Sequence, residues 1–286
     1  MMIDLARQDS AAPMKQVLFT IPGVGAPVHG FALMAVVAFY LGLRLARRRS
    51  RREGLDPDLI EDMAPWIMLG GLIGARLLFV AEYWGEKVAS LGGVFRVWEG
   101  GIVFYGCVLG AVVALLLFRA FRTFPLLATL DVLAPSLALG IAIGRVGCFL
   151  NGCCYGDRCD IPWLAVRFPP NSPPWLAEEA QGVIPAAAPA SLPLHPTQLY
   201  SSLNGLVLLA LLSAYYPLRR RNGEVFGLFL LTYPILRFLV EALRDDEKAL
   251  ITGLTIAQAT SLFVLAFGLL YWALLSHRPE GRWRNR

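Results

Sequence analysis

This sequence of 286 residues has little charge. Only 16% of its residues are Asp, Glu, Lys or Arg, whereas 56% are hydrophobic, and the mean hydropathy is +0.56. A protein surface that faces water needs roughly 25% charged residues. The shortage excludes an ordinary soluble fold, so most of the surface must face lipid. The net charge of +5 does not predict a nucleic-acid partner, because the basic residues lie in short clusters between apolar segments.

Further absences narrow the class of protein. The first 28 residues hold no long apolar core before a small-residue cleavage site, so we expect the first span to act as a signal-anchor. No internal repeat is recognisable, which gives no support to an inverted-repeat transporter. There are only three histidines. We expect His29 and His277 to be interfacial. For His195, a direct chemical role and a structural role are both open.

Seven apolar segments are long enough to cross a bilayer, which takes about 20 residues. They cover roughly residues 28–46, 60–81, 101–119, 127–149, 197–217, 225–243 and 254–276. We therefore expect an all-α integral membrane protein of about seven transmembrane helices that forms a single polytopic membrane domain over residues 1–286. The proline-rich segment 150–196 is expected to form a periplasmic cap rather than another span.

Basic clusters predict the orientation of the chain. Of the 26 Lys and Arg residues, 15 lie in four stretches that alternating spans would place on one side: 44–52, 119–124, 219–221 and 277–286. The positive-inside rule makes this side cytoplasmic. The N-terminus is then expected outside and the C-terminus inside.

Charged side chains inside apolar spans are costly to insert and usually mark function. Arg76, Arg145, Arg237 and Glu241 are such residues. Arg237 and Glu241 lie four residues apart, so they share a helix face and can pair. A structural ion pair is the alternative to a functional role for these two, and a structural tie between helices is the alternative for Arg76.

Arg145 has a different setting. No acidic residue lies within a helical turn of it, and glycines at 140, 144, 147 and 152 surround it. Glycines let another backbone or a ligand headgroup approach closely. A planar guanidinium matches the oxygens of a phosphate bidentately. We therefore expect Arg145 to bind a phospholipid phosphate.

Five segments, in order, resemble the prolipoprotein diacylglyceryl transferase family. The most specific is GRVGCFLNGCCYG, which is similar to the family signature G-R-x-G-N-F-x-N-G-E-x-x-G. The resembling segments cover residues 31–39, 95–106, 144–156, 195–201 and 233–244. The similarity extends over residues 28–276, nearly the whole chain.

The resemblance implies an activity and its partners. Such an enzyme moves the diacylglyceryl group of phosphatidylglycerol onto the lipobox cysteine of a preprolipoprotein, and glycerol phosphate leaves. It works in the bacterial inner membrane on preprolipoprotein signal peptides and membrane lipid, with no cofactor, no metal and no nucleic acid. The resemblance implies catalytic roles for Arg145, Arg237 and Glu241. It implies substrate-binding roles for Asn151, Gly156 and Tyr233, to which we add Arg76 as a further candidate.

The sequence departs from the family pattern at four positions. Tyr105 replaces a histidine, Cys148 an asparagine, Cys153 a glutamate and Phe31 a tyrosine. Tyr105 can donate a hydrogen bond to a phosphate, but its reference pKa of about 10 makes it a poor base at neutral pH.

A reaction scheme follows as a hypothesis. Two arginines would stabilise charge on the leaving phosphate and lower the pKa of the attacking thiol. Glu241 or His195 would then carry the proton away. Two rival functions stay open: a phospholipid-binding homologue without transfer activity, and a thiol- or metal-sensing membrane protein.

Four of the five cysteines lie close together, at positions 148, 153, 154 and 159. Their spacing, C-x4-C-C-x4-C, fits poorly with common zinc sites, which use C-x2-4-C pairs. A periplasmic location favours disulfides. Disulfides, unpaired buried thiols and a metal site remain alternatives for this cluster.

Overall fold

The computed structural model describes residues 17–20, 27–85, 88, 90–96, 101, 103–244 and 253–281. The described residues form nine α-helices: α1 (Gly30–Arg52), α2 (Pro57–Glu82), α3 (Leu91–Val94), α4 (Phe104–Phe121), α5 (Leu126–Asn151), α6 (Pro173–Ala180), α7 (Thr197–Tyr215), α8 (Glu224–Glu241) and α9 (Ile256–Ser276). A 3-10 helix, Tyr216–Leu218, follows α7. Two short strands, β1 (Val17–Thr20) and β2 (Pro27–His29), pair antiparallel. The architecture is all-α.

Six of the described helices, α1, α2, α4, α5, α7 and α9, are long and apolar enough to cross a membrane. Their surfaces expose large apolar side chains: Leu109 is 63% exposed and Phe263 is 73% exposed. Apolar surface of this extent on a folded chain fits contact with lipid. The protein is therefore an all-α, multi-pass integral membrane protein, as the composition predicts.

Helix α8 is not among the six, because each of those contains an 18-residue stretch with at most two charged residues and α8 does not. It has 18 residues and covers most of the predicted span 225–243, but it includes Glu224, Arg237 and Glu241. These charges can be accommodated because Glu224 and Glu241 are buried within the protein, at 5% and 1% exposure. Seven spans remain a prediction.

Helix α1 extends beyond its predicted end, from residue 46 to Arg52. The extension runs through the basic cluster. Arginine is a good helix former, and the basic residues of the last turn interact favourably with the negative end of the helix dipole.

The chain divides into two compact units. The first comprises Met1–Gly42 and Leu133–Arg282, and the second comprises Leu43–Val132 and Trp283–Arg286.

In the second unit, α2 and α4 pack through glycine. A Cβ atom on Gly74 would lie 2.3 Å from the carbonyl oxygen of Gly106, and one on Gly110 would lie 2.1 Å from that of Gly70. No side chain fits at these positions. Backbone-to-backbone contact of this kind is a common way for membrane helices to associate, because lipid provides no hydrophobic drive between them.

In the first unit, α5, α7 and α8 share a buried core. Its members are Ala134 and Ala138 of α5, Leu208 and Leu212 of α7, Tyr216 directly after α7, and Val225, Phe229 and Leu230 of α8. Helix α9 packs closely on α8, because a Cβ atom on Gly268 would lie 2.9 Å from the carbonyl oxygen of Leu230. This core fixes the three helices that carry the site.

The segment between α5 and α7 is irregular apart from α6 and folds on its own small core. Phe168 and Trp175 are buried there, at 0% and 5% exposure. The indole Nε1 of Trp175 donates to the carbonyl of Ala188 over 3.0 Å, and Ser191 Oγ accepts from the backbone of Phe168 over 2.9 Å. These contacts agree with a compact cap, although its periplasmic location remains a prediction.

Residues of the basic clusters make polar contacts within each unit. In the first, Arg221 Nε donates to the carbonyl of Arg278 over 2.8 Å, which joins the α7–α8 connection to the end of α9. In the second, Arg47 near the end of α1 pairs with Glu61 near the start of α2.

Candidate active site

The first unit contains an open cleft between α5, α7 and α8. Each helix contributes residues spaced three or four apart, which places them on one helical face. The lining residues are Ile141 and Arg145 of α5, Ser201, Asn204, Gly205 and Leu208 of α7, and Tyr233, Leu236, Arg237 and Val240 of α8. The cleft is thus apolar with a few convergent polar groups, the usual make-up of a ligand site.

Close packing of α7 on α5 shapes the cleft. A Cβ atom on Gly205 would lie 2.8–2.9 Å from atoms of Ala142, and Ser202 Oγ donates to the Ala142 carbonyl over 2.8 Å. In contrast, a Cβ atom on Gly140 or Gly144 would meet nothing within 4 Å. The surface of α5 beside Arg145 therefore has room for another molecule.

Arg145 is half-buried and lines the cleft. It makes no hydrogen bond and no ion pair with any residue that the structure describes. A half-buried guanidinium whose donors make no hydrogen bond within the described chain is well suited to an anionic ligand. Its predicted role in binding phosphate fits this position.

Arg237 is held differently. As predicted, it pairs with Glu241, whose side chain is fully buried. The same Glu241 oxygen lies 3.3 Å from Arg244 Nη1, and the other oxygen accepts a hydrogen bond from Thr255 Oγ1 over 3.1 Å. Both carboxylate oxygens are therefore engaged. Glu241 thus orients Arg237 towards the cleft and neutralises part of its charge.

The charges at this end of the cleft do not cancel. Arg145 and Arg237 line the cleft, and Arg244 pairs with Glu241 beside it. Against these three positive charges stand Glu241 and the Cys154 thiolate described below, which leaves a net formal charge of +1. In a largely apolar cleft such a charge acts over a longer range than in water. The site therefore favours a phosphate group.

Tyr233 and two polar residues that sequence reasoning missed complete the lining. The ring of Tyr233 stacks on Phe229, with centroids 5.4 Å apart. Ser201 donates to the Thr197 carbonyl over 2.8 Å, whereas Asn204 has no hydrogen bond to a described residue. The signal in the sequence was the spacing of Ser201, Asn204, Gly205 and Leu208, which is typical of one helical face.

Gly156, the last residue of the signature segment, lies where three chain segments cross. Gly156 pairs with Arg244, and its amide donates to the His195 carbonyl over 3.0 Å. A Cβ atom on Gly156 would lie 2.7 Å from His195, Leu243 and Thr197 atoms. This gives Gly156 a packing role. His195 Nδ1 lies 3.1 Å from the Tyr200 hydroxyl, and neither His195 nor Gly156 lines the cleft.

Three of the four clustered cysteines come together at the end of α5. The Sγ atoms of Cys148, Cys153 and Cys154 all lie within 4.8 Å of one another, and Asn151 hydrogen-bonds to Cys153. Cys159 is buried apart from them and donates to the Ile161 carbonyl over 3.7 Å. All five cysteines are free thiols.

Cys154 has an unusual electrostatic setting. Hydrogen bonds with the Cys148 and Cys153 thiols lower its pKa, burial raises it, and the charges of Arg145 and Arg244 lower it further. The net effect lowers the Cys154 pKa and favours a thiolate. The cysteine cluster and the arginines therefore belong to one electrostatic environment.

Two predicted site residues lie in the second unit. Arg76 is buried, and its three guanidinium nitrogens donate to the carbonyls of Val94, Gly101 and Gly93 over 2.9, 2.9 and 2.6 Å. These bonds explain its burial without a ligand. Tyr105 is the second residue of α4 and is half-buried, with its ring edge-on to Phe104 at 6.0 Å.

Comparisons with known proteins agree with the resemblance noted in the sequence. The family model described as prolipoprotein diacylglyceryl transferase matches residues 16–274. The chain is similar to proteins named phosphatidylglycerol–prolipoprotein diacylglyceryl transferase. That of Thermosynechococcus vestitus is 34% identical over 88% of this chain and 89% of its own length. That of Clostridium tetani is 32% identical over 93% and 100%, and that of Synechococcus elongatus is 36% identical over 85% and 82%. The chain belongs to the prolipoprotein diacylglyceryl transferase family.

Proposed function

We propose that this protein transfers the diacylglyceryl group of phosphatidylglycerol to the lipobox cysteine of preprolipoproteins and releases glycerol phosphate. Its relatives bear the name of this activity. The cleft carries the proposal, because Arg145 lines it without a hydrogen bond or ion pair to a described residue and Arg237 is held in it by Glu241.

The cleft fits a phospholipid in two ways. Its apolar lining, which includes Ile141, Leu208 and Leu236, suits the glycerol backbone and the upper acyl chains. The guanidiniums of Arg145 and Arg237 suit the phosphate diester, to which an arginine can donate two parallel hydrogen bonds. Tyr233 and Asn204 supply further hydrogen-bonding groups.

The chemistry requires charge stabilisation at the phosphate. The substrate thiolate attacks the glycerol carbon, the S–C bond forms, and the C–O bond to phosphate breaks. The leaving group becomes a phosphate monoester and gains negative charge. Guanidiniums fixed beside those oxygens stabilise the transition state more than the ground state, which is the condition for catalysis.

We assign Glu241 to positioning. Both of its carboxylate oxygens are engaged, one by Arg237 and Arg244 and the other by Thr255. Its contribution is to hold Arg237 in the cleft. His195 and Tyr105 stay candidates for proton transfer and hydrogen bonding, and Asn151 and Gly156 stay candidates for substrate binding.

We further propose that the protein lies in the bacterial inner membrane, with its N-terminus and cap in the periplasm and its C-terminus in the cytoplasm. Four basic stretches on one side support this orientation through the positive-inside rule. The contact between Arg221 and Arg278 within the first unit agrees with it. The cap side would then meet preprolipoprotein signal peptides as they emerge.

A reconstituted transfer assay tests the proposal. The purified protein in vesicles of phosphatidylglycerol with labelled acyl chains is mixed with a lipobox peptide, and the peptide is analysed by mass spectrometry. We expect a diacylglyceryl thioether on the cysteine and release of glycerol phosphate. A peptide with serine in place of that cysteine is the control and stays unmodified.

The same assay separates the alternative function. Binding of phosphatidylglycerol without any transfer, together with failure to rescue a bacterial strain depleted of its own diacylglyceryl transferase, would replace the enzyme assignment with that of a phospholipid-binding homologue.

A further inference from the structure

The three-cysteine cluster lies beside the proposed active site but is not used by the mechanism described above. Cys148 is in the last turn of α5, and Cys153 and Cys154 follow in the next turn of chain. Positive φ angles at Gly152 (+77°) and Cys154 (+61°) fold the chain back on the helix end. The Cys153 amide donates to the Cys148 carbonyl over 3.2 Å. The backbone therefore brings three sulfurs to one point.

The separation of these sulfurs is close to that of a metal site. Zinc–sulfur bonds of about 2.3 Å in tetrahedral geometry place sulfurs about 3.8 Å apart. The three Sγ atoms already lie within 4.8 Å of one another. A shift of each sulfur by well under an ångström would reach zinc geometry. The sequence spacing did not predict this arrangement of sulfurs. The common C-x2-4-C pattern does not include a backbone turn that places Cys153 and Cys154 against Cys148 of the preceding helix.

Helix α7 holds this segment in place. Thr197 Oγ1 donates to the Cys154 carbonyl over 2.8 Å, and Gln198 Nε2 donates to the Cys153 carbonyl over 2.8 Å. Thr197 and Gln198 are 1% and 0% exposed. The Oε1 atom of Gln198 is buried without a hydrogen-bond partner in the described part of the chain, which leaves an acceptor next to the cluster.

Charge at the cluster also suits a metal. Three thiolates and one Zn²⁺ sum to a formal charge of −1. Arg145 and Arg244 act electrostatically on Cys154 and would offset that charge. A divalent cation would therefore offset most of the charge of three thiolates, and the two arginines would offset the remainder.

We propose that Cys148, Cys153 and Cys154 form a three-thiolate zinc site whose fourth coordination position is open to the thiol of the substrate cysteine. Three protein ligands with one open position is the pattern of zinc sites that take part in chemistry, whereas structural sites have four. The role of the open position rests on the proposed transferase function, but the binding of zinc does not.

The zinc ion would deprotonate the substrate thiol and so take the place of a general base. A thiol that coordinates zinc loses its proton, which passes to water, and remains a nucleophile as a bound thiolate. Its sulfur forms the S–C bond while the C–O bond breaks, and the electron pair leaves with glycerol phosphate. No atom is oxidised or reduced. Tyr105 would then not need to accept the proton.

Metal binding tests the first part. The protein is purified without chelators under reducing conditions, and zinc is measured by mass spectrometry. Cobalt substitution then reports thiolate ligands through charge-transfer absorption. We expect about one zinc per chain, and at least a tenfold loss of affinity in Cys148→Ser, Cys153→Ser and Cys154→Ser.

The matched control is Cys159→Ser, a cysteine of the same segment that lies outside the cluster. It should bind zinc as the unmodified protein does. Equal binding in all four variants would overturn the site, as would reduced protein that binds no zinc. A disulfide among the three cysteines that persists in place of metal would likewise overturn it in favour of a redox pair.

Activity separates the two parts of the proposal. Zinc-free protein should lose most transfer and regain it with zinc or cadmium. Full transfer by the zinc-free protein would overturn thiol activation and leave the transferase function intact. Stoichiometric zinc with no transfer under any condition would instead overturn the proposed function and the role of the open position, while the metal site would stand.

Discussion

Replacing Arg145 with lysine keeps the positive charge in the cleft but removes the planar guanidinium. A phosphate that accepted two parallel hydrogen bonds from Arg145 would accept only one from lysine. A hydrogen bond to a charged group contributes about 1.5–3 kcal/mol. Since 1.36 kcal/mol corresponds to a factor of ten in rate, we expect kcat/KM for transfer to fall by about 10- to 150-fold.

Stability should respond differently from activity. Arg145 has no hydrogen bond or ion pair with a described residue, so Arg145→Lys should change the free energy of unfolding by no more than about 0.5 kcal/mol. Arg237→Lys is the matched control, because Arg237 is held by the buried Glu241. We expect that variant to lose both activity and stability. Transfer is measured in phosphatidylglycerol vesicles and unfolding in detergent micelles.

Two results would refute this reasoning. Full transfer by Arg145→Lys would show that charge alone suffices and that no bidentate contact forms. A large loss of stability in that variant would show that Arg145 has a structural partner, so that its position in the cleft does not reflect ligand binding.

Three further changes test the site. Glu241→Gln leaves Arg237 and Arg244 without their buried counter-charge and should lower the unfolding free energy by about 3 kcal/mol or more, so an unchanged denaturation midpoint would contradict the positioning role. Gly205→Ala should separate α7 from α5 and reduce both stability and transfer. Gly140→Ala, whose new methyl group meets open space, should leave the thermal unfolding temperature nearly unchanged, so an equal loss of stability in the two variants would be inconsistent with the packing. Asn204→Ala should reduce kcat/KM several-fold, and Asn204→Asp should reduce it further by adding negative charge beside the phosphate, so a more active Asp variant would argue against phosphate binding there.

Helices were the most predictable part of the fold, because long apolar runs in a chain of low charge leave few other structures. The predicted spans each contain a helix, and Arg237 pairs with Glu241 as their spacing of four indicates. Contacts between distant segments were not predictable. Thr255, at the start of α9, donates a hydrogen bond to Glu241, and no local sequence pattern predicts that bond.

The candidate site was predictable in part. Arg145 stood out because a cation among glycines in an apolar run is rare. Asn204 did not, because a single amide in a span is common and its significance depends on facing α5 and α8. The cysteine cluster depends on left-handed backbone at Gly152 and Cys154, and such angles are set by the fold rather than by the spacing of cysteines.

The unequal holding of the two arginines has a thermodynamic consequence. Glu241 fixes the Arg237 side chain as the protein folds. The Arg237 side chain has therefore lost its rotamer entropy before a ligand binds. Arg145 has not, and a long basic side chain has about 2 kcal/mol of such entropy to lose. Ligand binding should therefore order the end of α5 far more than α8, and the mobility of the Arg145 side chain becomes a direct reporter of occupancy.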